Sequence, residues 1–222
     1  MINNYINLVV LGNFNPSILT HNFLVTECGF DLGDKPTKEN PPVPVVSSLE
    51  YDKISFFADL GRFQITEKNC ENPKQSKLPN YLDTYLEKLP HTPITKCGAN
   101  FSYNVEIEET KLNQIEQRLS SNRQYFCKTL DADEIQVEVS FSVNDKTETV
   151  KKWILRTIAQ SGESSTIMNV QRLEKLNTKM DFNYEINLEK NREQVKKITD
   201  DYAKVYDVFL FQLRKIFEEK IS

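Results

Sequence analysis

The chain has 222 residues, 39% of them apolar and 27% charged, which excludes a disordered or fibrous protein and allows a sizeable core. Its formal charge of −4 and pI near 5.4 give no global field that would draw in nucleic acid or an anionic membrane. No window approaches the ~20 apolar residues that a bilayer-spanning helix needs. The start, Met1-Ile2-Asn3-Asn4-Tyr5, lacks the basic residues and apolar run of a signal peptide. Cys28, Cys70, Cys97 and Cys127 include no CxxC pair, so the expectation is a cytoplasmic protein with reduced thiols.

Strands are expected at Asn4 to Leu11, Asn22 to Asp31, Val43 to Glu50 and Ile54 to Thr66, the last with a bulge at Gly61. The stretches 32–44 and 68–78, rich in Pro, Lys, Asn and Glu, read as exposed loops. A helix is predicted from Pro79 to Leu89, with Leu82, Tyr85, Leu86 and Leu89 on one side, Pro79 suiting its first turn and Pro90 ending it. A strand from Ile94 to Ile107 follows, then a second amphipathic helix over 111–130 through Leu112, Ile115, Leu119 and Phe126.

Four alternating segments come next. Ile135, Val137, Val139, Phe141 and Val143 share one face, and Asn144-Asp145 supplies the turn. Further strands are read at Thr149 to Ala159, Ser165 to Leu173 and Asp181 to Leu188. Short turns between them imply an antiparallel meander. From Asn191 to about Ile221, Val195, Ile198, Tyr202, Val205, Phe209, Leu213 and Ile216 step by three or four residues, predicting one long helix. The fold class is therefore α+β: antiparallel meander sheets packed against amphipathic helices, with a long C-terminal helix. Residues 1–107 form an antiparallel sheet plus short helix, and 108–222 a helix, meander and terminal helix, as two domains or one continuous one.

Several chemistries lack their motifs. The six glycines form neither GxGxxG nor GxxxxGK, and there is no GxSxG, HExxH or DxDxDG. The runs from His21 to Phe30 and from His91 to Phe101 both read His, an apolar strand start, then Thr-charged-Cys-Gly. If those strands were neighbours, His21, Cys28, His91 and Cys97 would offer the ligands of a tetrahedral zinc site. Against it, a histidine six or seven residues back along a strand stands roughly 20 Å away, and a small buried core cysteine is the preferred reading of each run. Asp131, Asp133 and Glu134 read as turn residues, and Asp181 with Glu185 as the solvent face of a strand. Lys151, Lys152, Arg156 and Arg172, beside Trp153, form the best nucleic-acid candidate, on the strands spanning 146–175. Glu148, Glu163 and Glu174 are interspersed, as on an ordinary mixed surface. The C-terminal helix carries Tyr206, Leu210, Phe211 and Phe217 besides its core stripe, a surplus to be buried within the molecule or against a partner.

The run Tyr81-Leu82-Asp83-Thr84-Tyr85-Leu86-Glu87-Lys88-Leu89-Pro90, then Thr92-Pro93-Ile94-Thr95 and Gly98-Ala99-Asn100-Phe101-Ser102-Tyr103, resembles a family of uncharacterised, sporadically distributed bacterial and phage-associated proteins. The strand Asp181-Phe182-Asn183-Tyr184-Glu185-Ile186-Asn187 before a terminal helix with Phe209 and Phe217 is similar to that family's C-terminal end. The resemblance implies a setting in mobile-element or phage-defence gene neighbourhoods and no known activity. The expectation is a non-catalytic accessory or interaction protein that binds itself or another protein, with no cofactor and no membrane. The alternatives are a nucleic-acid-associated factor using the basic strip, and a zinc-stabilised module or metal-dependent enzyme.

Overall fold

Alternation of apolar and polar side chains sets the sheet. The computed structural model describes residues 2–106, 110, 134–143, 150–161, 164–172, 177–187 and 193–217. The fold is α+β, with an antiparallel sheet and helices. The chain divides into two compact units, one of residues 5–100 and 185–205, the other of residues 1–4, 101–184 and 206–222.

In the first unit the strand order is β2 (Lys38–Val43), β3 (Val46–Glu50), β4 (Ile54–Asp59), β5 (Arg62–Lys68), β1 (Ile2–Gly12) and β6 (Ile94–Glu106). Leu49, Phe56, Ile65 and Leu8 stand opposite one another across β3, β4, β5 and β1, and all are buried. This period-two row is one layer of the core. The helix α1 (Leu78–Lys88) supplies the other layer through Leu78, Tyr81, Leu82, Tyr85 and Leu86. Tyr85 lies flat on Phe63, with ring centroids 3.8 Å apart and planes 3° from parallel. Tyr81 stacks on Phe30 at 4.3 Å, and Phe30 on Phe56 at 5.9 Å. A second helix, α2 (Glu193–Asp200), buries Val195 and Ile198, and Thr199 Oγ1 donates to Asp83 Oδ1 of α1 at 2.9 Å.

The second unit carries the meander. The order is β10 (Asn177–Asn187), β9 (Ser164–Arg172), β8 (Val150–Ser161), β7 (Glu134–Val143), with β7–β8 and β8–β9 antiparallel. The helix α3 (Tyr202–Phe217) packs Tyr206 and Phe209 on Phe101 and Tyr103, in the part of β6 from residue 101 onward that belongs to this same unit. The two hydroxyls of Tyr103 and Tyr206 meet at 2.9 Å.

Four local expectations change. Residues 22–31 are not a strand: Phe23–Glu27 is one turn of π-helix. Thr20 sits just before it and its Oγ1 accepts from the Phe23 N–H, while Gly29, at φ +70°, supplies the left-handed exit. Gly61 is not a bulge within one strand but part of the turn between β4 and β5, because Asp59 Oδ1 accepts its N–H at 2.8 Å. Part of the expected loop 32–44 is the strand β2. At the C-terminus two helices stand where one is predicted, with a turn at Asp201. Thr199 Oγ1 also reaches back to the Lys196 carbonyl, a competition with the helix ladder that bends helices, and Asp200-Asp201 adds two poor helix formers. The predicted helix over 111–130 lies outside the described residues.

A Cβ on Gly12 would lie 2.2 Å from the Pro93 carbonyl oxygen, while the nearest neighbour of one on Gly61 is Asp59 Oδ1 at 3.6 Å. Gly12→Ala is expected to lower stability by about 1–3 kcal/mol, the cost of overpacking. Gly61→Ala should change it by less than about 1 kcal/mol, both read from urea midpoints.

Candidate interaction surface

The first unit presents apolar side chains at one end of its sheet. Pro44 and Val45 form the two-residue turn between β2 and β3, closed by the pair Val43↔Val46, and Pro44 suits the second position of such a turn. Val46 is in turn opposite Asp59, so Leu60, the next residue, emerges at the same end of the sheet. Val43, Val45, Val46 and Leu60 are 41%, 57%, 36% and 53% exposed. Their backbone is firmly held. Phe14 N–H donates to the Leu60 carbonyl and Gly12 N–H to the Gly61 carbonyl, both at 3.0 Å. The buried Ser47 hydroxyl donates to the Leu19 carbonyl at 2.8 Å, anchoring β3. Beside the patch, Arg62 pairs with Asp59 at 3.6 Å and lies over the Phe57 ring at 4.6 Å, so the rim is charged but balanced. Rigid backbone holding exposed apolar side chains is the arrangement of a contact surface.

The patch was missed by sequence reasoning because Val45 and Leu60 fell inside the expected strands Val43 to Glu50 and Ile54 to Thr66, whereas both stand in turns. A signal exists: Pro41-Pro42-Val43-Pro44-Val45-Val46 is an unbroken run without a polar residue.

The expected site residues are dispersed. Tyr206 is buried in the core of its unit, Leu210 is half-buried, and Phe211 is 49% exposed; the Phe217 side chain lies outside the described residues. On the meander, Trp153 stands opposite Phe141 and Arg172, while Lys152 stands opposite Ser142 and Arg156 opposite Glu138. Since strand residues alternate between faces, Trp153 and Arg172 belong to one row and Lys152 and Arg156 to the other. Lys151 falls at the register shift beside Val143 and Val150. The strip is thus split between rows, and Arg156 is in register with a glutamate.

His21, Cys28, His91 and Cys97 do not form the expected pair of matching strands, because the first run is helical. His21 Nδ1 lies 2.9 Å from the Tyr51 hydroxyl, His91 is exposed, and both cysteines are buried. Among the described residues no group of three or more His, Cys, Asp or Glu is placed to hold a metal ion. Burial pushes the Cys28 thiol up to about 11 and those of Cys70 and Cys97 up to about 12, so all three are protonated at neutral pH and poor nucleophiles. Asp83 is also raised, mainly by desolvation and against the Thr199 hydrogen bond. It lines a shallow cleft with Leu86, Glu87, Ile94, Val195 and Lys196. Among the described residues no helix is long and apolar enough to cross a membrane.

No family model and no curated protein matches the sequence. Among solved structures, the rolling circle replication initiator protein from Geobacillus stearothermophilus aligns over 90% of this chain and 78% of its own, at 7% identity and a TM-score of 0.32. A likeness that weak carries no argument about fold or activity.

At pH 8, Cys28, Cys70 and Cys97 are expected to react with a disulfide reagent at least about tenfold more slowly in the folded protein than after unfolding, read by peptide mapping. Their raised thiol values also make folding pH-dependent. An unfolded cysteine loses its proton near 9.0 and the folded ones only near 11 to 12. Stability is therefore full below about pH 9 and falls as the pH climbs toward 12. Thr199→Val, which deletes the hydroxyl that satisfies Asp83, should cost about 1–3 kcal/mol at pH 7 in a denaturant titration.

Proposed function

We propose that the protein is a non-catalytic accessory subunit that binds a protein partner through the apolar end of its sheet at Val43, Val45, Val46 and Leu60, in the mobile-element or phage-defence setting that its resemblance implies. The observation that carries this reading is the exposure of four large apolar side chains on ordered backbone, with Val43 and Val46 paired across a hairpin and the Leu60 carbonyl held by the Phe14 N–H. Burying a valine or leucine fully is worth about 1.5–3 kcal/mol, so a cluster of them left in water is a standing cost that a partner removes. The buried, protonated thiols and the split basic rows give catalysis and nucleic-acid binding less support than this.

The test is affinity isolation of the tagged full chain from its host cells, wild type beside Val45→Glu/Leu60→Glu, with mass spectrometry of what is retained. The double variant changes only exposed positions, so it should fold normally. One stoichiometric protein retained by the wild type and lost with the variant is expected. An identical set of retained proteins would sink the reading.

A further inference from the structure

The last strand in the order of each unit, β2 in the first and β7 in the second, differs in how its outer edge is protected. An edge strand presents unpaired N–H and C=O groups, and proteins blunt such edges with short strands, prolines, lysines and register breaks. β2 uses all of these: it has six residues, carries Lys38, Glu39, Pro41 and Pro42, and its register with β3 shifts between Asn40 and Val43. β7 uses almost none. It runs ten residues as Glu-Ile-Gln-Val-Glu-Val-Ser-Phe-Ser-Val, with no proline, lysine or arginine. Its register with β8 is unbroken from Glu134 to Ser142. Among the described residues its neighbour in the sheet is β8 alone.

We infer that the outer edge of β7 pairs with the same edge of a second copy of this chain, antiparallel and across a two-fold axis. The sequence of the strand selects the register. A one-residue slip would set apolar rows against polar ones, and centring on Glu138 would place two carboxylates opposite each other. Centring on Val139 avoids both. Val139 then meets the partner's Val139, Val137 meets the partner's Phe141, Glu138 the partner's Ser140, and Gln136 the partner's Ser142. This joins apolar to apolar and polar to polar over the whole regular stretch, with an aromatic–β-branched pair on each side of the axis. A symmetric contact of this kind closes at two copies. It is independent of the valine–leucine patch, which belongs to the other unit.

Sedimentation velocity on the full chain over a micromolar concentration series tests it. The wild type should pass from 25.8 kDa to twice that mass. Ser140→Glu sets a carboxylate against Glu138 at two symmetry-related places and should weaken the dimer about tenfold. The double variant Glu138→Lys/Ser140→Glu should restore it, and Ser140→Lys alone should tighten it. Far-UV circular dichroism checks that each variant is folded; should Ser140→Glu unfold, Ser140→Lys carries the test. A 25.8 kDa species at every concentration, or a dimer that no Ser140 variant shifts, overturns the proposal. Val45→Glu/Leu60→Glu should leave the dimer intact, so this result and that of the partner isolation fail or succeed separately.

Discussion

The flat stacking of Tyr85 on Phe63 is the contact on which the first unit depends. An aromatic side chain buries on the order of 150–250 Å², and a stacked pair adds about 0.5–1.5 kcal/mol beyond that area. With Tyr81 on Phe30 and Phe30 on Phe56, this layer clamps α1 to β4, β5 and the turn at 23–27 together. The helix orientation follows from it, and so does the place of α2, which reaches α1 through Thr199 and Asp83.

α1 and the 14–30 segment pack on a core of Leu8, Leu49, Phe56, Phe63 and Ile65, and among the described residues the apolar side chains beyond the last row of the sheet stay exposed. Val43, Val45, Val46 and Leu60 are in that position. The hydrogen bonds from Gly12 and Phe14 to the Gly61 and Leu60 carbonyls fix the turn between β4 and β5, and the pair Val43↔Val46 closes the turn between β2 and β3. The exposed patch is therefore a consequence of how the sheet ends. The cysteines show the complementary case: the packing that buries Cys97 also holds its thiol protonated at neutral pH.

Much of the architecture was legible where a single period dominated. The strands β7 to β10 stand where period two placed them, although β10 begins at Asn177, four residues before the expected start. The helix α1 has the right apolar spacing and a proline at each end, and its observed span, Leu78–Lys88, differs from the expected Pro79–Leu89 by one residue. Legibility failed where a local hydrogen bond outweighed the pattern. Phe23-Leu24-Val25 is a β-like run, but the Thr20 hydroxyl and the left-handed Gly29 turn it into a helical segment. Asp59 converts a long strand into a hairpin by holding the Gly61 N–H, and Thr199 interrupts a helix whose apolar stripe is continuous. Of the candidate site, Tyr206 was legible only as surplus grease, since its destination against Phe101 and Tyr103 is set by β6, more than a hundred positions away.

The amino-acid sequence by itself determined the fold class, the antiparallel character of the meander, the amphipathic faces of the helices and the absence of glycine-rich phosphate loops, because each of these rests on residues within a few positions of one another. Only the tertiary structure decided which apolar residues are core and which are surface, how the basic residues divide between two rows, and that the two histidine–cysteine runs are unlike. Those outcomes depend on register and on partners distant along the chain. Periodicity states that a side chain needs a neighbour, and the packing alone supplies which neighbour it meets.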